Sequence, residues 1–179
     1  MKQKRIQVDG ASYFEIHSVE DSRGRFTKFF HGDLLRAAGM FMEVEEIYAS
    51  SSHQGVIRGM HFQAPPYDHD KIVCCVLGRV TDVLLDLRPS SPTYLQCASV
   101  SLSGANGGAV YIPAGVAHGF LAKEDNSMLV YALSTSHHPE SDCGVRFDSF
   151  GFDWQLKDPT VSDRDRDLPT LSDFSTPFL

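Results

Sequence analysis

The chain has 179 residues and nowhere sustains a long helical periodicity; glycine and proline instead cut it into strand-length apolar stretches. That punctuation predicts short β-strands joined by turns, and therefore a sandwich or barrel. Strands are expected at 12–17, 25–30, 44–50, 71–77, 80–87, 95–102, 109–112, 120–122 and 128–134. A turn is expected at Asp21-Ser22-Arg23-Gly24. Gly78-Arg79 between two apolar runs has the spacing of a tight hairpin. The clearest helix is 33–40, capped by Asp33 and ending near Gly39. From Asp148 onward, Pro159, Pro169 and Pro177 among many aspartates predict irregular structure wrapping a surface. No linker or low-complexity segment divides the chain, so residues 1–179 are expected to form one domain.

Composition narrows the function classes. A net charge of −7 argues against a nucleic-acid backbone or an anionic membrane as partner, while a local arginine pair can still hold a small anion. Cys74, Cys75, Cys97 and Cys143 show no CxxC spacing and are expected as buried free thiols in a reducing cytoplasm, with Cys74 and Cys75 on opposite faces of a strand. The basic segment Met1–Arg5 leads into no apolar run, so neither a signal peptide nor a membrane span is expected.

Two segments close on histidines: Gly55-Val56-Ile57-Arg58-Gly59-Met60-His61 and Ile112-Pro113-Ala114-Gly115-Val116-Ala117-His118. A lone histidine on a strand is usually a satisfied structural residue. Arg58 just before His61 and Lys71 ten residues after it give His61 the context of a general base in a walled pocket. His118 reads either as a pocket residue or as a turn histidine bonded to backbone. Tyr131, in the apolar run Met128–Tyr131, reads either as core packing or as an acid facing His61. Arg23 and Arg58, each beside a glycine, suit a phosphate fork as well as a surface ion pair. A metal site is hard to assemble, because His61 and His118 are the only plausible internal ligands.

These motifs together resemble the nucleotide-diphospho-4-keto-6-deoxysugar epimerases. The likeness runs through Asp21-Ser22-Arg23-Gly24-Arg25-Phe26, Arg58-Gly59-Met60-His61-Phe62-Gln63, Lys71-Ile72-Val73, Gly78–Val83, Asp86-Leu87-Arg88, Ser91-Pro92-Thr93, Ile112–Phe120, Gly144–Asp148 and Ser162–Asp165. It implies a cupin-type jelly-roll β-barrel with few short helices, no cofactor, no metal, and a homodimer in which N-terminal strands join the partner's sheet. It also implies His61 as base held by Asp165, Tyr131 as acid, Lys71 near the C4 oxygen, Arg23 and Arg58 on the diphosphate, and His118 near the sugar. Phe26, Lys28, Glu46, Tyr48 and Gln63 fall at substrate-binding positions.

The expected activity is inversion of C3, C5 or both, next to the C4 ketone of a nucleotide-linked sugar, in deoxysugar or surface-polysaccharide biosynthesis. A single-centre epimerase, a 3,4-ketoisomerase and a non-catalytic binding cupin remain open. Lys28, Glu46, Tyr48, Ala132 and Ser136-His137 stand where family members reading thymidine carry Glu, Gln, Asn, Lys and Tyr-Tyr. GDP or CDP is therefore expected as the nucleotide.

Overall fold

The computed structural model describes residues 2–16 and 18–179. In chain order the strands are β1 (Lys2–Arg5), β2 (Ser12–Glu15), β3 (Ser18–Asp21), β4 (Gly24–Thr27), β5 (Glu46–Ser52), β6 (Ile57–Gln63), β7 (Lys71–Leu77), β8 (Arg79–Asp86), β9 (Cys97–Ser103), β10 (Gly108–Ile112), β11 (Val116–Ala122), β12 (Ser127–Leu133) and β13 (Asp142–Gly144). Helices α1 (Gly32–Ala37) and α2 (Asp163–Arg166) are short. The expected strand at 12–17 is β2; His17 lies outside the described residues.

Two antiparallel sheets face each other in a jelly roll. One runs β1-β2-β10-β7-β12-β5 and the other β13-β6-β11-β8-β9, with β3-β4 as a separate hairpin. Alternation along the strands sorts the side chains into layers. Val73, Val80, Leu84, Phe120, Leu129 and Tyr131 fill the space between the sheets. Ile72, Cys74 and Ala132 face outward under Leu35 of α1 and Met40. On the far side Ile57, Met60, Phe62 and Val83 face outward against Trp154, Val161 and Phe178. The irregular tail therefore closes a third apolar layer. As expected, Cys74 and Cys75 divide between the outer and inner layers.

Two local expectations are corrected. The run 71–77 and its successor do not form a hairpin, because β7 pairs with β10 and β12 while β8 pairs with β11 and β9. Gly78, at φ +71°, turns the corner between sheets. The buried Ser127 hydroxyl meets the Arg79 N–H at 3.2 Å and the Arg79 carbonyl at 3.0 Å, satisfying the backbone there. The helix starts one residue early, with His31 at the N-cap and no side-chain cap. Asp33 lies in the first turn and forms a surface pair with Arg36.

Candidate active site

Strand β6 carries the base candidate, and it contains an irregularity that decides what faces inward. His118 of β11 pairs with His61, but Phe120 pairs with Arg58, so two residues of β6 oppose Gly119 alone. This is a β-bulge, which resets the alternation. Ile57, Met60 and Phe62 all face the outer layer, and Arg58, His61 and Gln63 consequently turn inward. Glycine is required on both sides of the bulge. Gly59 has φ +126°, and a Cβ on it would lie 2.5 Å from Gly119 Cα; one on Gly119 would lie 2.8 Å from the Arg58 carbonyl.

The bulge also holds the carboxylate. Thr160 donates to the Gly55 carbonyl and accepts from Ile57, running the late chain alongside β6. The Ser162 hydroxyl then caps α2 by accepting from the Asp165 N–H at 3.2 Å. Buried Asp165 accepts from the Gly59 N–H at 3.0 Å and lies 2.7 Å from His61 Nε2. Burial alone would raise its carboxyl, but the His61 and Gly59 hydrogen bonds hold it below the ordinary carboxylate range. An ionised Asp165 only accepts, so the His61 Nε2 that faces it carries a proton.

His61 lines a cavity of about 330 Å³ with Glu46, Tyr48, Gln63, His69, Lys71, His137, Asp142 and Arg164 among its walls. Lys71 Nζ donates to the His61 carbonyl at 3.3 Å. Burial drives its ammonium down to about 8, opposed by Asp142 and Asp82. Across the barrel Tyr48 and Tyr131 are cross-strand partners with rings stacked at 4.6 Å. The Tyr131 hydroxyl meets Ser50 Oγ at 3.3 Å. Burial pushes Tyr131 well above its ordinary value, so it holds its proton, although the Ser50 bond works the other way. The same cause pushes Tyr48 up to about 12. Arg58 donates to Ser52 Oγ at 3.0 Å and to the Ser51 carbonyl at 3.2 Å.

His118 lies on a strand, not in the turn, and bonds Asp82 Oδ2 at 2.7 Å in place of backbone. Asp82 escaped the sequence reading. An aspartate at a core-facing position of an apolar strand requires a buried partner, and that was the available signal. His69 was missed as well, though it precedes Lys71 by two residues and so shares its face in extended chain. Glu46 accepts from the His137 N–H at 2.6 Å, and the Gln63 amide bonds loop backbone on either side.

Arg23, Phe26 and Lys28 are not brought to this cavity. Arg23 is exposed and forks onto Asp21 at 2.6 Å, and Phe26 is 64% exposed. Their hairpin is anchored by Arg25 on the carbonyls of Gly104 and Ala105. Gly104 packs on Val76 and Leu77, at the end of β7 about 20 Å from Lys71. Among the described residues no three His, Cys, Asp or Glu side chains form a metal-binding set. Among the described residues no helix is long and apolar enough to cross a membrane.

Residues 5–173 match the family model described as dTDP-4-dehydrorhamnose 3,5-epimerase. The curated dTDP-4-dehydrorhamnose 3,5-epimerase of Mycobacterium tuberculosis is 37% identical over 97% of this chain and 89% of its own length. The solved rmlC epimerase of that organism superposes with a TM-score of 0.93 at 36% identity, over 97% of this chain and 90% of that one. ChmJ, a 3'-monoepimerase from Streptomyces bikiniensis solved in complex with dTDP-quinovose, gives a TM-score of 0.88 at 33% identity, over 93% and 86% of the two chains. With a matching model over nearly its whole length and relatives of this identity, the chain belongs to the dTDP-4-dehydrorhamnose 3,5-epimerase family of isomerases.

Proposed function

We propose that this protein epimerises a nucleotide-diphosphate-linked 4-keto sugar at C3 and C5, the carbons flanking the ketone. His61 Nδ1 takes the α proton while Asp165 steadies the imidazolium that forms. The electron pair moves into the ketone, and Lys71 stabilises the resulting C4 oxyanion. Tyr131 returns a proton to the carbon from the opposite face, which inverts it. The observation that carries this reading is the pairing of a carboxylate-oriented His61 on one sheet with a protonated Tyr131 on the facing sheet, with Lys71 beside the base. NMR in D2O tests it. Deuterium entering at both carbons with changed coupling constants is expected; entry at one carbon makes the enzyme a single-centre epimerase, as ChmJ is named. A protein that binds the substrate and exchanges neither proton is a binding cupin.

The protein works as a homodimer in this reading, with the hairpin carrying Arg23, Phe26 and Lys28 reaching the partner's cavity to join Arg58 on the diphosphate. The exposed position of that hairpin supports it. A fully active monomer by analytical ultracentrifugation overturns it. For the base, the Glu46 carboxylate on the cavity wall favours a nucleobase edge with an exocyclic amino donor, which guanine and cytosine carry and thymine lacks, so GDP or CDP is the nucleotide in this reading. Competition among nucleoside diphosphates decides: tightest binding of dTDP, the nucleotide in the family's name, overturns that choice.

A further inference from the structure

His69 is 8% exposed, lines the cavity beside Lys71, and has no role in the chemistry above. Its protonation pattern is fixed by its neighbours. The Gln63 carbonyl oxygen accepts from the His138 N–H at 2.6 Å, and the Gln63 amide nitrogen donates to the Tyr67 carbonyl at 2.7 Å. An N–H can only donate and a carbonyl can only accept, so the amide orientation is determined from both ends. That same amide nitrogen lies 3.0 Å from His69 Nδ1, with the Ser136 carbonyl as a longer contact at 3.4 Å. Nδ1 must therefore accept. Burial, with Lys71 and His137 nearby, pushes the imidazole down to about 3, so it is neutral and its one proton sits on Nε2.

That Nε2–H is buried and has no acceptor among the described residues. An unmatched buried donor is destabilising, yet the network of Gln63, Tyr67 and His138 spends three hydrogen bonds in orienting the ring that bears it. His69 and Lys71 both line the cavity. Asp70 between them turns the other way, bonding the Tyr111 hydroxyl at 2.6 Å and the Ala114 N–H at 2.9 Å.

We propose that His69 is a second donor to the C4 oxygen of the substrate, its Nε2–H completing with Lys71 a two-point oxyanion site; this rests on the epimerase reading and deepens it. A neutral donor adds to oxyanion stabilisation without raising the positive charge beside an already desolvated ammonium. As the ketone becomes an enolate the bond shortens and strengthens, so its contribution falls on turnover more than on ground-state binding.

The test compares His69→Phe with His69→Gln, whose amide restores an N–H donor, by deuterium exchange at C3 and C5 and by nucleoside diphosphate affinity. Loss of one oxyanion donor predicts about a 10²-fold fall in kcat for His69→Phe, with at least about tenfold recovered in His69→Gln. Nucleoside diphosphate affinity and melting temperature are expected to stay near those of the parent. His69→Leu substitutes where His69→Phe does not fold. Equal losses in both variants, parallel loss of nucleotide affinity, or unchanged exchange in His69→Phe each overturn the inference while leaving the epimerase reading intact. A parent protein that exchanges nothing overturns both.

Discussion

Two histidine–carboxylate pairs sit opposite one another on the β6–β11 ladder, each with a contact of 2.7 Å. Their surroundings differ. The His61 side chain is 29% exposed and its carboxylate comes from α2, far along the chain. The His118 side chain is 5% exposed and Asp82 fully buried, both on neighbouring strands of one sheet. A pair open on one side can exchange a proton with a ligand. A sealed pair acts as a fixed element of the barrel, and its charge is felt by the groups around it, Lys71 and Tyr131 among them. Identical contact geometry thus serves different ends, and access to the cavity divides them.

Replacing the two carboxylates separates these roles most sharply. Asp165→Asn is expected to cut deuterium exchange by on the order of 10³- to 10⁴-fold through the wrong His61 tautomer, with the melting temperature little changed. Asp82→Ala leaves the buried His118 N–H without its acceptor and is expected to cost about 1–3 kcal/mol in denaturant unfolding. The reverse pattern, activity lost at Asp82 with stability kept, breaks the distinction.

A smaller effect concerns pH. Lys71 is charged below about pH 8 in the folded protein, so kcat/KM is expected to fall as pH rises through that value. Asp82 helps keep this ammonium charged, so Asp82→Asn moves the alkaline limb to lower pH, and Lys71→Met removes it. Stability behaves oppositely. Between about 8 and the unfolded lysine value of about 10.4 the unfolded chain binds the extra proton, so this group makes folding more favourable as pH rises.

Gly119→Ala probes the ladder that joins the pairs. Its methyl would meet Met60 Sδ at 2.6 Å and the Arg58 carbonyl at 2.8 Å, a crowding expected to cost about 1–3 kcal/mol by thermal melting. The smallest change is Ser162→Ala, expected to lose about 1 kcal/mol of capping and to speed amide exchange in α2, with Asp165 loosened before the sealed pair responds.

The long apolar strands were legible from their own runs, as Cys74 and Cys75 on opposite faces show, while β1, β3, β6 and β13 were not among those expected. Sheet membership was not legible. Gly78-Arg79 has hairpin spacing, and only Ser127, distant in sequence, marks it as a corner. His61, Lys71, Glu46 and Tyr48, all named from the sequence, line one cavity, and Tyr131 stacks on Tyr48 behind it. Asp165, 104 residues from His61, came from resemblance alone, since no local pattern distinguishes it from the other aspartates of the tail. Asp82 and His69 went unnoticed because each depends on partners brought in by folding. Arg23, Phe26 and Lys28 were expected at the same site, yet within one chain the β3–β4 hairpin holds them at the other end of the barrel.

A strand counts in twos, so residues an odd number apart look away from each other. Arg58 and His61 are three apart, and the extra residue at Gly59-Met60 turns that odd interval into an even one. The site thus depends on parity as well as on identity. Straightening the bulge with both residues kept would turn one of the two side chains out of the barrel, whereas deleting one of them would restore a regular strand with both still on one face. Nor can the motif be grafted onto another strand alone. Gly119, on the opposite strand, leaves the gap into which the slipped beat fits, and the smallest transferable unit is a pair of strands.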